Sequence, residues 1–365
     1  MNAKKLQALC AAALLLPLDL IVMLVLLFVE IISLPLRFGR RRAPAVPLPD
    51  CAAVTIQVLN WDGKHLLAEC LPRLVRAVSK AGGRHKILVV DNGSTDNSLD
   101  FLRKEFPAVG VVALDRNYGF SIGNNLGLKH VATDIVVLLN NDMLVDDDFL
   151  GPLLVPFSQD NVFAVTSQIS FADPTKRREE TGKTRGRFEG GIFYLWHDDL
   201  SPDDETRSAA PVFWAGGGSC AIDRRKYEML GGFDALYHPF YVEDVDLSYQ
   251  AWKRGWKSLL APASRVVHKH RGTSRPKFGD DFVDNTIRRN QYLLVWKNLT
   301  DFRLLLAHIL QLPRIHGRGV LRHGPAFEVR AFVRALGRLP MAAVRRVANL
   351  PAYTLSDGDV LKFAR

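Results

Sequence analysis

The chain has 365 residues, of which 48% are hydrophobic, so it can bury a large core and is not a disordered protein. Its formal net charge of +10 is compatible with nucleic acid, anionic lipid or a polyphosphate compound as a partner. The four cysteines show no CxxC spacing, which argues against structural zinc and against a disulfide-stapled secreted domain.

The first feature in chain order is an almost wholly apolar segment at residues 6–36. About 20 such residues are enough for a helix to cross a bilayer. Pro17 and Asp19 lie within the segment, where an ionised carboxylate costs about 2.5 to 3.5 kcal/mol. Three interpretations therefore stay open: a single span, a re-entrant or interfacial hairpin that bends at Pro17, and a buried helix of a soluble protein.

Basic residues flank this segment unequally. Arg37 and the three arginines at 40–42 follow it, whereas only Lys4, Lys5 and the amino terminus precede it. The positive-inside rule then places the rest of the chain in the cytoplasm. We expect residues 1–42 to be a membrane segment with a basic flank, inserted in the cell inner membrane.

Residues 43–50, "APAVPLPD", are a Pro-rich linker that cannot continue a helix. From residue 51 onwards, strand-like runs such as "AAVTIQVL", "HKILVVD" and "DIVVLLN" alternate with helical patterns. This alternation predicts an α/β domain over residues 51–285, with a mostly parallel central sheet flanked by helices.

The predicted strands end on small polar or acidic residues. Asn60 ends "QVLN", Asp91 ends "ILVVD", Asn117 and Gly119 follow "VVALD", and Asp142 follows "VVLLN". Ligands of open α/β sheets bind beyond the carboxyl ends of the strands. Each residue alone is also typical of a turn or a helix cap. Together they indicate a nucleotide site.

Five longer motifs carry a family resemblance: "VVDNGSTDNS", "NYGFSIGNNLGL", "LLNNDMLVDDDFL", "GGFDALYHPFYVEDVDLSYQAWKRGW" and "VVHKHRGTS". Together, across residues 51–275, they resemble the inverting family 2 of nucleotide-sugar glycosyltransferases, and most of all its bacterial rhamnosyltransferase-like branch. The resemblance implies a GT-A fold, which is Rossmann-like, a sugar-nucleotide donor and a divalent cation, Mg²⁺ or Mn²⁺.

The resemblance also implies a metal site in the triplet Asn140, Asn141 and Asp142. The Asp142 carboxylate would be the anionic ligand of a cation that bridges the donor's diphosphate, with Asn140 and His268 as further ligands. Asn140 stands where the family has an acid, and a neutral amide is a weaker ligand. A metal-independent variant therefore stays open. Arg271 and Arg275 are candidates for a loop over the diphosphate.

For the donor nucleotide, the resemblance implies a pocket of neutral and acidic side chains at Asn60, Asp91, Asn92, Ser94, Asn117, Gly119, Asn124 and Asn141. Three consecutive glycines, Gly216, Gly217 and Gly218, precede a predicted strand. Backbone without side chains can approach a ligand closely, so we expect contact with the donor sugar or the acceptor. A plain loop is the alternative.

Glu243 and Asp244 begin a predicted helix, where acids are ordinary. In the family such a pair supplies the base that deprotonates the acceptor hydroxyl, which implies Asp244 as base and Glu243 beside it. Processive synthases of the family carry a Gln-x-x-Arg-Trp motif after the acidic pair. Gln250 is followed by "AWKRGW", which does not have that spacing, and this favours transfer of one sugar per binding event. An inactive scaffold that binds a sugar nucleotide is the alternative. The first strand is not followed by the GxGxxG of dehydrogenases.

Residues 286–365 are helical and basic, with Arg330, Arg334 and Arg338 at one-turn spacing. This amphipathic pattern predicts contact with anionic lipid, and packing on the preceding domain is the alternative. Nucleic acid is not an expected partner because no binding motif accompanies the charge. The expected partners are a nucleotide sugar, with dTDP-rhamnose as the leading candidate, and a lipid-linked or glycan acceptor.

Overall fold

The computed structural model describes residues 3–38, 45–171, 180–269 and 274–363. The strands of these parts are β1 (Val54–Asn60), β2 (Lys86–Asp91), β3 (Gly110–Ala113), β4 (Ile135–Asn140), β5 (Met143–Val145), β6 (Val162–Phe171), β7 (Thr184–Glu189), β8 (Ile192–His197), β9 (Ala210–Pro211), β10 (Ser219–Asp223) and β11 (Lys257–His268).

The helices are α1 (Ala3–Phe38), α2 (Lys64–Ala81), α3 (Ser98–Glu105), α4 (Gly119–Leu128), α5 (Leu150–Leu154), α6 (Pro202–Glu205), α7 (Arg224–Leu230), α8 (Glu243–Lys253), α9 (Ser274–Phe278), α10 (Asp280–Asn298), α11 (Phe302–His323), α12 (Pro325–Leu336), α13 (Leu339–Asn349) and α14 (Asp357–Phe363). The predicted alternation of strands and helices after residue 51 is therefore present.

The central sheet has the strand order β3-β2-β1-β4-β10-β6-β11-β5, and β9 pairs with β11. The first four strands are parallel, as the sequence predicted. β10 runs antiparallel to both β4 and β6, and β5 runs antiparallel to β11, so the complete sheet is mixed. β7 and β8 form a separate hairpin.

Both faces of the sheet are buried, which explains the continuous apolar runs of its strands. In β4, Val137 and Leu139 pack into one cluster with α2 and α5, whereas Val136 and Leu138 pack into another with α4, α7 and α8. Successive side chains of a strand point to opposite faces, so a strand buried on both sides needs apolar residues at every position.

A third core joins the two ends of the chain. α1 packs against α11, α12 and α13, and α10 lies between these helices and α8. α1 continues through Pro17 as one helix, so the hairpin considered above is not formed. Within the described residues, Cys10–Leu36 is the one stretch of helix long and apolar enough to cross a membrane.

The basic C-terminal helices pack on the preceding domain. Arg334 Nη1 donates to Asn285 Oδ1 (2.8 Å), Arg338 Nη1 donates to the carbonyl of His238 (3.1 Å), and Arg330 pairs with Asp281 (2.6 Å). All three arginines therefore contact protein, which is the packing alternative. The predicted domain boundary at 285 falls inside α10. The arginines at 40–42 lie outside the described residues.

Candidate active site

The carboxyl ends of β1 and β2 carry the first part of the site. The two strands are parallel and in register, with Asn60 opposite Asp91. Asn60 Nδ2 donates to Asp91 Oδ2 (3.1 Å) and to Ser98 Oγ (3.0 Å), and the Ser94 amide donates to Asp91 Oδ1 (2.9 Å). The structure therefore brings Asn60, Asp91 and Ser94 into one buried polar frame.

The turn before α4 adds the next residues. Asn92 Nδ2 donates to Asn117 Oδ1 (3.0 Å) and to the carbonyl of Gly119 (3.2 Å). Gly119 has φ +74°, and a Cβ there would lie 2.8 Å from the carbonyl oxygen of Pro239. Only glycine fits this turn without strain. Asn92, Asn117 and Gly119 therefore join the frame at the sheet edge.

Asn124 lies apart from these residues. Its Nδ2 donates to the carbonyl of Phe120 (3.0 Å), and its Oδ1 accepts from Gln57 Nε2 (2.9 Å). The side chain is buried and fixes α4 to β1. Both polar atoms of the Asn124 side chain are therefore bonded within the protein, and its place in the nucleotide pocket stays a prediction.

The triplet after β4 points in three directions. Asn140 lies against Gly218, whose carbonyl oxygen accepts a hydrogen bond from the backbone N–H of Asn140 (2.9 Å). Asn141 Nδ2 donates to Asn60 Oδ1 (2.8 Å) and so belongs to the nucleotide side. Asp142 faces His268, with 3.0 Å between Oδ2 and Nε2. Of the triplet, Asp142 is the residue placed for an anionic metal ligand.

His268 reaches Asp142 because β11 and β5 are antiparallel and pair His268 with Met143. Its other ring nitrogen, Nδ1, lies 3.1 Å from Glu180 Oε2. Burial by itself lowers the pKa of His268, but the carboxylates of Asp142 and Glu180 outweigh it and raise that pKa to about 10. Sequence reasoning missed Glu180, because it follows no strand and has no fixed spacing to His268.

The chemistry of this corner fits a hard divalent cation. Asp142 Oδ1 is buried and has no hydrogen-bond partner among the described residues, so an oxygen ligand is available. The contact of 3.0 Å joins a carboxylate oxygen to an imidazole nitrogen, and both can bind a divalent cation once His268 has given up its proton. The described parts of the chain hold no cluster of three or more metal-ligating side chains. Mg²⁺ commonly takes one or two protein ligands and completes its shell with substrate phosphates and water.

The glycine run links this corner to the acidic pair of α8. The Gly217 amide donates to Asp244 Oδ2 (3.3 Å), and the Val245 amide donates to Asp244 Oδ1 (2.8 Å). A Cβ on Gly218 would lie 2.9 Å from Asn140 Nδ2. Gly216 has open space around its Cα, because nothing lies within 4 Å of a Cβ built there. The run therefore lies between the end of β4 and the start of α8.

The two acids differ in environment. Glu243 is 4% exposed, and its Oε2 has no partner among the described residues. Burial, together with the negative charges of Asp244 and Asp246, raises the pKa of Glu243 well above its ordinary value. Asp244 is half-buried, and desolvation raises its pKa to about 6. The pair therefore combines an acid whose neutral form is favoured with a carboxylate whose basicity suits proton transfer.

The backbone before the pair is strained. Tyr241 and Val242 have φ of +70° and +78°, a region that β-branched residues avoid. Asn290 of α10 holds this loop, because its Nδ2 donates to the carbonyls of Tyr241 (2.8 Å) and Phe240 (3.1 Å). Asn290 was missed because the sequence after residue 285 reads only as helical and basic.

A buried ion network holds α8 one turn after the acidic pair. Lys297 Nζ donates to Asp246 Oδ2 (2.6 Å) and to Asp234 Oδ2 (2.8 Å), and Asn298 Nδ2 donates to Asp246 Oδ1 (2.6 Å). Asp246 lies one turn from Glu243 on α8, so the network sets the direction of that helix. Asp234 and Asp246 are thus supporting residues.

Two predicted phosphate contacts lie elsewhere. Arg271 falls outside the described residues. Arg275 pairs with Asp280 (2.7 Å) and Asp284 (2.8 Å), so its guanidinium is already held by two carboxylates. A role over the diphosphate is therefore not what this arrangement favours for Arg275.

The chain is similar to known glycosyltransferases over a part that includes the strand-end residues and the glycine run, whereas Glu243, Asp244 and His268 lie beyond the family match. Residues 56–226 match the family described as Glycosyl transferase family 2. Polypeptide N-acetylgalactosaminyltransferase 11 of Xenopus tropicalis is 27% identical over 222 residues, 56% of this chain and 36% of that protein. N-acetylgalactosaminyltransferase 6 of Drosophila melanogaster is 29% identical over 212 residues, 53% of this chain and 31% of that protein. The chain spans about a third of the length of these relatives.

The crystal structure of GalNAc-T7 with UDP, GalNAc and Mn2+ has a TM-score of 0.53 to this chain at 19% sequence identity, and the match covers 69% of this chain and 48% of that chain. This likeness confirms the predicted α/β fold of the GT-A type. The relatives are named as N-acetylgalactosaminyltransferases, so they support a glycosyltransferase domain but not the rhamnosyltransferase-like branch in particular.

Proposed function

We propose that the protein is a glycosyltransferase that moves one sugar from a nucleotide sugar to an acceptor hydroxyl, with inversion at the anomeric carbon. One observation carries the proposal: Asp244, with a pKa of about 6, lies beside the glycine run, which ends against Asn140 at the edge that holds Asp142. A base next to a diphosphate site is the arrangement that this displacement needs.

Asp244 takes the proton of the acceptor hydroxyl as that oxygen attacks the anomeric carbon. The bond between that carbon and the diphosphate oxygen breaks on the opposite side, and its electron pair leaves with the nucleoside diphosphate. Glu243, whose pKa is raised by burial and by the neighbouring carboxylates, lies beside Asp244 and positions the acceptor. A single displacement of this kind inverts the anomeric configuration.

Asp142 would hold the divalent cation together with a deprotonated His268, and the carboxylate of Glu180 lies 3.1 Å from the other nitrogen of that ring. When bound, Mg²⁺ or Mn²⁺ neutralises charge that develops on the departing diphosphate. Asp91 and Asn60 face the nucleoside at the ends of their strands. The similar GalNAc-T7 structure contains UDP and Mn2+, which supports a nucleotide and a cation as ligands of this fold.

The donor is a nucleoside diphosphate sugar, and UDP-N-acetylgalactosamine joins dTDP-rhamnose as a candidate because of the named relatives. The acceptor is a lipid-linked or surface glycan. The exposed apolar side of α1 supports attachment to a membrane. The arginines that follow the segment in sequence are the reason for proposing the inner membrane, with the sheet domain in the cytoplasm.

The test is turnover with a panel of nucleotide sugars, Mn²⁺ and membrane lipid extract. We expect release of nucleoside diphosphate and an inverted anomeric centre in the product by NMR, and transfer slower by about 10² to 10⁴ with Asp244→Asn. Donor binding without turnover would identify an inactive scaffold. A retained configuration would refute the single displacement.

A further inference from the structure

The long helix α1 has its polar and apolar sides reversed relative to a helix in water. Its buried positions, Leu15, Asp19, Val22, Leu26 and Val29, repeat at alternating spacings of four and three residues. Such a repeat forms a narrow seam against neighbouring helices. The acids and the serine of the apolar stretch, Asp19, Glu30 and Ser33, all lie on this buried side.

The outward side of α1 carries only apolar residues between Ala13 and Leu36. We call it the outer face, and its large members are Leu14, Leu16, Leu20, Ile21, Leu24, Phe28, Ile31, Ile32 and Leu34. Leu14 is 75% exposed and Ile31 is 65% exposed. A contiguous surface of this kind is not stable against water and marks an interaction site.

Each acid on the buried side has a basic partner from the far end of the chain. Asp19 Oδ1 lies 2.9 Å from His316 Nε2 on α11. Glu30 pairs with Arg346 of α13, which also donates to the carbonyl of Trp296 (3.1 Å). Helices in contact with lipid have this arrangement, in which the acids point inward to their partners and the apolar side chains point outward.

The same contacts are incompatible with α1 as a free span. α1 packs along α11, from Ala11 beside Val320 to Asp19 beside His316, and then reaches α13 at Glu30. α11 carries exposed arginines at 303, 314 and 322, which do not enter hydrocarbon. α1 cannot cross a bilayer without taking α11 with it.

The charge of the neighbouring helices selects the type of membrane. Six arginines of α11, α12 and α13 are exposed, at 303, 314, 318, 322, 330 and 345, whereas the one acid of these helices, Glu328, is buried. α11 and α13, which pack against α1, add the exposed apolar side chains Leu310 and Val344. Basic residues around an apolar face fit anionic head groups around acyl chains.

We infer that α1 lies in the plane of one leaflet, with its outer face among the acyl chains and its acidic seam closed by His316 and Arg346. The inference rests on the membrane attachment proposed above and specifies its geometry. Its occupant is a lipid surface that contains anionic head groups. The 36-residue helix would then extend about 54 Å along the membrane rather than through a core about 30 Å thick.

Spin labels at three outward positions test this geometry. Leu14, Leu24 and Leu34 are exposed and about 15 Å apart along the helix axis. Each is changed to Cys in the full chain after Cys10→Ser and Cys51→Ser, which leave the buried Cys70 and Cys220. The chain is bound to vesicles with anionic lipid, and the depth of each label is measured by oxygen and nickel accessibility. A label at the exposed Lys104 serves as the aqueous control.

We expect the three labels to lie at one shallow depth, within a few ångströms of each other. A label at 24 that lies about 10 to 15 Å deeper than those at 14 and 34 would establish a span and overturn the inference. Labels that all behave like Lys104 would refute membrane attachment itself. Spin–spin broadening between chains without lipid contact would assign the outer face to a second copy and would also overturn it.

Discussion

Asp244→Asn separates a catalytic base from a helix-capping residue. The asparagine keeps the size of the side chain and an oxygen for the Val245 amide, which donates at 2.8 Å. It replaces the second oxygen, which accepts a longer bond of 3.3 Å from Gly217. Loss of one such bond costs about 0.5 to 1.5 kcal/mol of folding free energy, so the variant should fold.

The effect on rate should be much larger. A general base contributes about 10² to 10⁴ in rate, and each tenfold corresponds to about 1.36 kcal/mol of activation free energy. We therefore expect kcat to fall by about 10² to 10⁴, which corresponds to an increase of about 2.7 to 5.4 kcal/mol in activation free energy. Donor binding should be unchanged. Release of nucleoside diphosphate at saturating donor and acceptor measures the first quantity, and donor titration measures the second.

Glu243→Gln is the matched control. Burial and two neighbouring carboxylates raise the pKa of Glu243 well above its ordinary value, which favours the neutral form of its carboxyl group. Glutamine resembles that form in shape and charge, although it donates from nitrogen. We expect a loss of less than about tenfold, well below the range for a general base. A larger loss for Glu243→Gln than for Asp244→Asn would reverse the two roles.

The pH dependence provides an independent check. The pKa of Asp244 is raised to about 6, so the carboxylate that accepts the proton is lost as the pH falls through about 6. The wild-type rate should drop about tenfold per pH unit below that value, and the residual rate of Asp244→Asn should not. A wild-type rate that stays flat down to pH 4.5 would refute the assignment.

Asp142→Asn should weaken donor binding in Mn²⁺ and abolish the difference between Mn²⁺ and chelator, because the anionic ligand is lost; calorimetric donor titration measures both, and an unchanged difference would contradict the role. Lys297→Met should lower the free energy of unfolding in urea by about 3 to 5 kcal/mol, because Asp234 and Asp246 lose their buried partner, whereas a change under 1 kcal/mol would count against the network. Asn290→Ala should reduce kcat at least tenfold while the protein stays folded at 25 °C, since the loop before the acidic pair loses its tie to α10; normal kcat would separate that loop from catalysis.

The strand-end part of the site follows from the sequence because its geometry is local. Apolar runs that end on Asn60, Asp91 and Asp142 identify parallel strands, and parallel strands end at one edge. The turn glycine Gly119 is similarly readable, because its positive φ has a sequence preference. The sequence pattern is therefore sufficient to predict the position of a residue that lies at the end of a strand whose place in the sheet is known.

The supporting contacts do not follow from pattern because they join distant parts of the chain. Glu180 meets His268 only after β11 pairs with β6 and the chain at Thr181 returns beside β6. Arg334 and Arg338 show a spacing that fits lipid and protein equally well. Whether they contact protein depends on two distant acceptors, the side-chain oxygen of Asn285 and the backbone carbonyl of His238. Asp19 looks unfavourable in an apolar segment until His316, 297 residues later, is placed beside it.

The inward acids of α1 bear on how the protein can be prepared without detergent. Deleting the helix would expose the apolar core beneath it to water and remove the pairs of Arg346 with Glu30 and of His316 with Asp19. Glutamine or lysine at outward positions such as Leu24 and Phe28 leaves the seam intact. A soluble form for crystallography is therefore better obtained by polar substitutions on the outer face of α1 than by deletion of the helix.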